Sequence, residues 1–195
     1  MGDVSIVTKG GRKYKLGSVV VSAIPRDTLK KHLASKTLQA ERDSQKLELD
    51  IDDLVATLRT AEADEDRLWK ILQLDENNPQ KRDAWSVEYD KTKNLPKQIE
   101  GLKAQRRYLA SGEYFFEGLP SGVSTAKTDA NGKFKLTIPV QGRFGVVARA
   151  SRELLKGKET YFWFVWVSLD GEPSRRLMLN DENLIGAGSP DSALQ

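Results

Sequence analysis

The chain has 195 residues, 38% hydrophobic and 30% charged, and its 31 Lys and Arg against 28 Asp and Glu leave a net charge of +3. Such a balance argues against nucleic acid, the absence of cysteine excludes disulfides and thiolate metal sites, and a single His32 excludes a histidine-rich metal centre. No run approaches the ~20 apolar residues of a membrane span and no apolar leader follows Met1, so no membrane insertion is expected.

Residues 3–8 alternate, with Val4 and Ile6 on one face, which predicts a strand. Lys9-Gly10-Gly11-Arg12 reads as a turn and, with Lys13 and Lys15, as a solvated basic loop. Leu16 to Ile24 is rich in β-branched residues and predicts a second strand, ended by Pro25.

From Arg26 to about Ser111 glycine almost vanishes and Lys, Glu, Asp, Leu and Ala dominate. Leu47, Ile51, Leu54, Leu58, Ala61, Leu68 and Leu72 fall on alternating steps of four and three, interrupted only at Glu65. A 3.5-residue period of this kind is a coiled-coil seam. Asp75 to Pro79 breaks it, with Asn78 as a helix N-cap and Pro79 in the first helical position. A second seam follows through Trp85, Tyr89, Thr92, Leu95, Ile99, Leu102 and Leu109; Pro96 should kink or restart that helix. Equal arms of about 42–73 and 79–110 would return the chain to its starting point, leaving residues 27–41 as a shoulder helix or overhang.

After Gly112 the pattern becomes β again. Glu113–Glu117 and Gly122–Lys127 are strand candidates. Asp129-Ala130-Asn131-Gly132 marks a hairpin turn, since Asn-Gly tolerates positive φ, and leads into alternating Phe134, Leu136 and Ile138. Pro139 and Gly142 punctuate a turn into Phe144, Val146 and Ala148, which makes the region an antiparallel meander. A charged connector, Ser151–Glu159, precedes Tyr161–Val167, apolar at every position and therefore expected to be a central strand covered on both faces. Asp170-Gly171 turns the chain into a last strand, Arg175–Leu179, and residues 186–195 read as a tail.

Thr128, Asp129, Gly132, Phe134, Leu136, Gly142, Phe144, Val146 and Ala148 match the TD-x-x-G-x-F-x-L…G-x-[FY]-x-V-x-A pattern, and this stretch resembles the carboxypeptidase regulatory-like domains. The resemblance covers residues 3–25 and about 112–180, and implies α+β architecture: an antiparallel transthyretin-like β-sandwich with an inserted antiparallel coiled-coil helical hairpin. The expected domains are 1–25 plus 112–185 for the discontinuous sandwich, 26–111 for the hairpin, and 186–195 for the tail. The layout is also similar to that of bacterial extracytoplasmic proteins, implying a cell-envelope location if a signal peptide precedes the chain.

Candidate chemistry is sparse. A hydrolytic branch of the transthyretin-like fold carries a C-terminal Tyr-Arg-Gly-Ser that this chain lacks, and His32 falls in the helical segment, so no catalytic residue is expected. Asp129 with Asn131 forms too small an oxygen set for calcium, and Asp181, Glu182 and Asn183 read as a solvated loop, so no metal and no cofactor is expected. Trp69 and Trp85 flank the helical turn, either packing across the helices or docking a partner, and Arg106 and Arg107 give the second helix a basic end that opposing acids should neutralise. These four are the candidate partner-binding residues, for another protein or for a second copy of the chain. The expected function is that of a non-catalytic structural or interaction protein, the alternative being a carbohydrate- or peptidoglycan-binding module using Tyr114, Trp163 and Trp166.

Overall fold

The computed structural model describes residues 1–8, 11–138, 141–154, 157–170 and 175–185. The chain divides into two compact units, residues 1–38 with 110–195, and residues 39–109. It is a mixed α+β structure with long helices and two antiparallel sheets.

The first unit contains the strands β1 (Gly2–Val7), β2 (Lys13–Lys15), β3 (Val20–Pro25), β4 (Ser124–Lys127), β5 (Lys133–Phe134), β6 (Arg143–Leu154), β7 (Gly157–Ser168) and β8 (Leu177–Leu179). In one four-stranded sheet β1 pairs with β2, β5 and β8; the other has the order β4-β3-β6-β7. Only the β1–β8 pairing is parallel among these. Val4 ties the first sheet together, because its N–H donates to the Gly132 carbonyl at 2.7 Å and its carbonyl accepts from the Leu16 N–H at 3.0 Å. Each sheet therefore combines strands from both ends of the chain.

Several expectations need correction. The basic loop contains a strand: β2 pairs back onto β1, whereas Leu16–Val19 are not strand and β3 begins only at Val20 in the other sheet. Ser18, at φ 62, sits within that passage between sheets. The meander is likewise divided, since β5 pairs with β1 and β6 with β3 and β7. The predicted strand through Ile138 keeps ladder pairing only at Lys133 and Phe134. The turn before it forms as an Asx turn: Asp129 Oδ1 accepts from the backbone N–H groups of Asn131 (2.8 Å) and Lys133 (2.9 Å), and Gly132 supplies φ 72. Ser151–Leu154 and Gly157–Glu159 are not a connector but the far ends of the β6–β7 hairpin. The turns expected at Lys9-Gly10, Pro139 and Gly171, and the tail from 186, fall outside the described residues.

One cluster of buried side chains joins the two sheets: Val4 and Ile6 of β1, Phe134 and Leu179 from the first sheet, Val21, Val146, Ala148, Trp163 and Val167 from the second. Trp163 is fully buried and its Nε1 donates to the Asn180 carbonyl at 3.0 Å, which removes the cost of enclosing an indole N–H. The opposite face of the second sheet is also covered. Phe116, in the short helix α3 (Gly112–Phe116), lies 5.0 Å from the Phe162 ring and 4.6 Å from Phe164 between centroids. Leu29 and Leu33 of α1 (Arg26–Gln73) are buried as well, Leu29 against Gly145 of β6 and Trp166 of β7.

This accounts for the continuous apolar run of β7, whose odd residues face the shared core and whose even residues face helices. It is covered on both faces as expected, yet it lies at the sheet edge rather than at the centre. Its outer edge is met by the C-terminal segment, where the Ile185 N–H donates to the Phe162 carbonyl at 2.9 Å. Glu113–Glu117, read as a strand, is α3: Ser111 caps it through its hydroxyl, and Tyr114 and Phe115 are buried. Three consecutive aromatics satisfy a strand and a single helical turn equally well, and packing decided for the turn.

In the second unit α1 runs on to Gln73 and α2 spans Pro79–Leu109. The two helices are antiparallel neighbours, because Trp69 meets Trp85, Glu65 meets Thr92, and Glu48 meets Arg106. Residues 27–41 are not a separate shoulder; they belong to one uninterrupted α1. Along the predicted seam Ile51, Ala61 and Leu72 are buried and Leu47, Leu54, Leu58 and Leu68 half-buried, while Asp52, Arg59 and Asp66 outside it are exposed. Asn78 caps α2 as predicted, accepting from the Lys81 N–H at 3.2 Å. Pro96 lies inside α2 without ending it; buried Leu95 and Ile99 on either side outweigh one missing hydrogen bond.

Candidate functional site

The arrangement in the second unit with the strongest potential for contact is an aromatic cluster. Trp69 and Trp85 stand on facing helices with ring centroids 5.2 Å apart and a 44° tilt, and Trp85 continues to Tyr89 at 5.0 Å. Lys93 places its ammonium 4.9 Å from the Tyr89 centroid, a cation–π contact one turn further on. The heptad explains the placement. Trp85 and Thr92 occupy the seam, and the third seam position between them is Glu88, so Tyr89 lies one residue to the side. Trp69 stands in the same relation to Leu68. In an antiparallel pair these flanking positions face the same way, and the two rings form one flank.

That flank is open to solvent, with Trp69 44% and Tyr89 37% exposed. Trp85 is half-buried between them, and its Nε1 is enclosed with no hydrogen-bond partner among the described residues. The sequence spacing puts Tyr89 in the seam, a step of four from Trp85, whereas the helix uses a step of three to half-buried Glu88 and leaves Tyr89 exposed. The exposed neighbours Asp66 and Lys70 pair with each other. At the turn, Lys81 and Asn78 hydrogen-bond the Asp75 carboxylate and hold its pKa below the usual range.

Arg106 and Arg107 do not join this cluster. They lie some 21 positions beyond Trp85, about 31 Å along the helix at ~1.5 Å per residue. Arg106 donates to Ser44 Oγ (3.1 Å) and to Glu48 (3.3 Å) across the pair. Arg107 donates to Glu100 at 2.7 Å, and this bond lowers the Glu100 pKa. One acid of the opposing helix, Glu48, thus meets the basic end, while Glu100 meets it from within α2. The four candidate residues form two separate places, of which only the tryptophan end is apolar.

The rings proposed for glycan stacking are elsewhere. Tyr114 and Trp163 are buried, and Trp166 is half-buried with its Nε1 enclosed beneath α1. None of the three rings is exposed. His32 Nε2 donates to the Phe115 carbonyl at 3.0 Å, which fixes α3 against α1 within the first unit.

A second polar cluster lies on the first unit. The Arg152 guanidinium stacks 4.5 Å from the Tyr14 ring, and the Tyr161 hydroxyl donates to Glu159. Partial burial, reinforced by the Glu159 hydrogen bond and charge, pushes the Tyr161 pKa up to about 12. Among the described residues no group of three or more His, Asp or Glu could hold a metal ion, and no helix is long and apolar enough to cross a membrane. Asp181 instead accepts from the Val7 N–H at 2.6 Å, and Asn180 and Asn183 cap each other around a 3-10 turn at Asp181–Asn183. Compared with protein-family models, curated proteins and solved structures, the chain matches none.

Proposed function

We propose that this protein is a non-catalytic interaction protein, in which a transthyretin-like β-sandwich serves as the base and an antiparallel coiled-coil hairpin as the contact arm. The observation that carries the reading is the aromatic flank of Trp69, Trp85 and Tyr89, exposed on a helical pair whose seam is otherwise closed. Aromatic side chains offer large contact area at small entropic cost and are enriched where partners bind. The sandwich part of the reading is supported by two four-stranded sheets sharing one core, each built from both ends of the chain. Its placement in a bacterial cell envelope rests on the family resemblance alone.

The test is cross-linking of the full chain in its host followed by mapping of the modified peptides, together with a variant in which 42–110 is replaced by a short linker. Cross-links concentrated in 39–109 and lost contacts in the deletion are expected. A folded deletion variant that keeps every partner would overturn the arm.

A further inference from the structure

We infer that the aromatic flank of the helical pair is a self-association surface, on which a second copy of this chain stacks to make a four-helix bundle. This rests on the contact-arm reading and names the partner. The argument begins with charge. Between 39 and 73, α1 carries twice as many acidic as basic residues, and between 79 and 109, α2 carries twice as many basic as acidic ones. Within 39–109 only Glu48 and Arg106 form an ion pair between the two helices among the described residues; the other ion pairs there lie within a helix or at the turn. Most of this charge therefore faces outward, acidic along one helix and basic along the other.

Identical faces stack in two ways, according to the direction of the two-fold axis. An axis running across the helices lays α1 on α1 and opposes like charges over the whole length. An axis running along the helices lays α1 of each copy on α2 of the other. Exposed Asp52 and Glu62 then meet a basic helix bearing Lys93 and Lys103, with Arg59 and Glu100 the two exceptions on these faces. This second axis also keeps residues at the same level, so Trp69, Trp85 and Tyr89 of one copy meet the same three of the other. A small apolar centre ringed by complementary charge results. The area is adequate: α2 has 31 residues, about 46 Å. Two helices are roughly 20 Å across, giving a footprint of about 900 Å² against the ~800 Å² per partner of a standard interface.

The full chain is expected to be a dimer by light scattering and sedimentation at about 100 μM, and to loosen as salt is added. Trp69→Ala with Tyr89→Ala should weaken the dimer roughly tenfold or more while helicity, read by circular dichroism, is kept. Asp52→Lys with Glu62→Lys should give a monomer, as should Lys93→Glu with Lys103→Glu. Mixing these two monomers should restore a dimer, because the reversed helices again oppose unlike charges; this recovery cannot arise from misfolding. Spin labels at Gln45→Cys and at Gln73→Cys fix the axis: short inter-copy distances at both positions are expected. Long distances at both would overturn the parallel arrangement. A dimer indifferent to both the aromatic and the charge variants would overturn the surface. A monomer at all concentrations whose 39–109 segment still cross-links to another protein would overturn the self-association and leave the arm reading standing, whereas a dimer that survives deletion of 42–110 would overturn both.

Discussion

Leu29 occupies the space that a side chain at Gly145 would need: a Cβ there would lie 2.1 Å from Leu29 Cδ2 and 2.9 Å from the Trp166 ring. The first turns of α1 rest on β6 through this gap, so Gly145 permits the helix to cover the sheet. Gly145→Ala gains about 0.4–1 kcal/mol from a less free unfolded chain but forces a packed contact apart at about 1–3 kcal/mol. The clash wins. The urea midpoint is expected to fall with an unchanged slope, and adding Leu29→Ala should cost less than the two single changes together, since one vacates what the other fills.

The Asp129 turn offers a second test. Its Oδ1 holds two backbone donors, and a Cβ on Gly132 would sit 2.5 Å from the Val4 carbonyl that this turn approaches. Asp129→Ala should cost about 1–2 kcal/mol, as for lost caps of similar geometry. Gly132→Ala should cost more, because it adds a clash to an unfavourable φ. Calcium or a chelator should leave the melting temperature unchanged, since the carboxylate is committed to the backbone. A calcium-dependent shift in melting would contradict this assignment.

The helical seam and the Asp129 turn show which levels of structure can be read from residues alone. The heptad seam was legible because one period governs every position from Leu47 to Leu72. The Asp129 turn was legible because its side chain and Gly132 act locally. Sheet membership was not: alternation reports that a strand has faces, and nothing in β1, β3 or β5 says which neighbour it pairs with. For the same reason β7 reads as central from its two apolar faces, although its hydrogen-bonding edge is a separate matter. At the aromatic flank both tryptophans were visible by position, whereas Tyr89 was missed because one extra residue of spacing moves a ring from seam to flank.

Tyr161 should report its surroundings in alkali. Partial burial, then the Glu159 hydrogen bond, raise its pKa to about 12 from the ordinary 10.0. The folded state thus prefers the neutral phenol. The stability this provides is complete below about pH 10 and is lost as pH rises from 10 towards 12. Ultraviolet titration of tyrosinate should show a late-ionising group that disappears in Tyr161→Phe and moves down in Glu159→Gln. A titration in which Tyr161 ionises with the exposed tyrosines would remove the claim.

Glu65 stands at a seam position among leucines, and Thr92 donates to its Oε2 at 2.9 Å from the facing helix. A polar pair in a heptad seam lowers stability and fixes register, because sliding either helix leaves a carboxylate without its donor. Thr92→Val alone should destabilise by about 1–2 kcal/mol, the loss of one hydrogen bond to a half-buried carboxylate. Replacing both, Glu65→Leu with Thr92→Val, should instead raise the melting temperature, since two apolar side chains close the seam. The same double variant should broaden the distances between spin labels on α1 and α2 within one chain, as alternative registers become populated. Higher melting with an unbroadened distance would mean that the Trp69–Trp85 contact and the short turn at 74–78 hold the register without the polar pair.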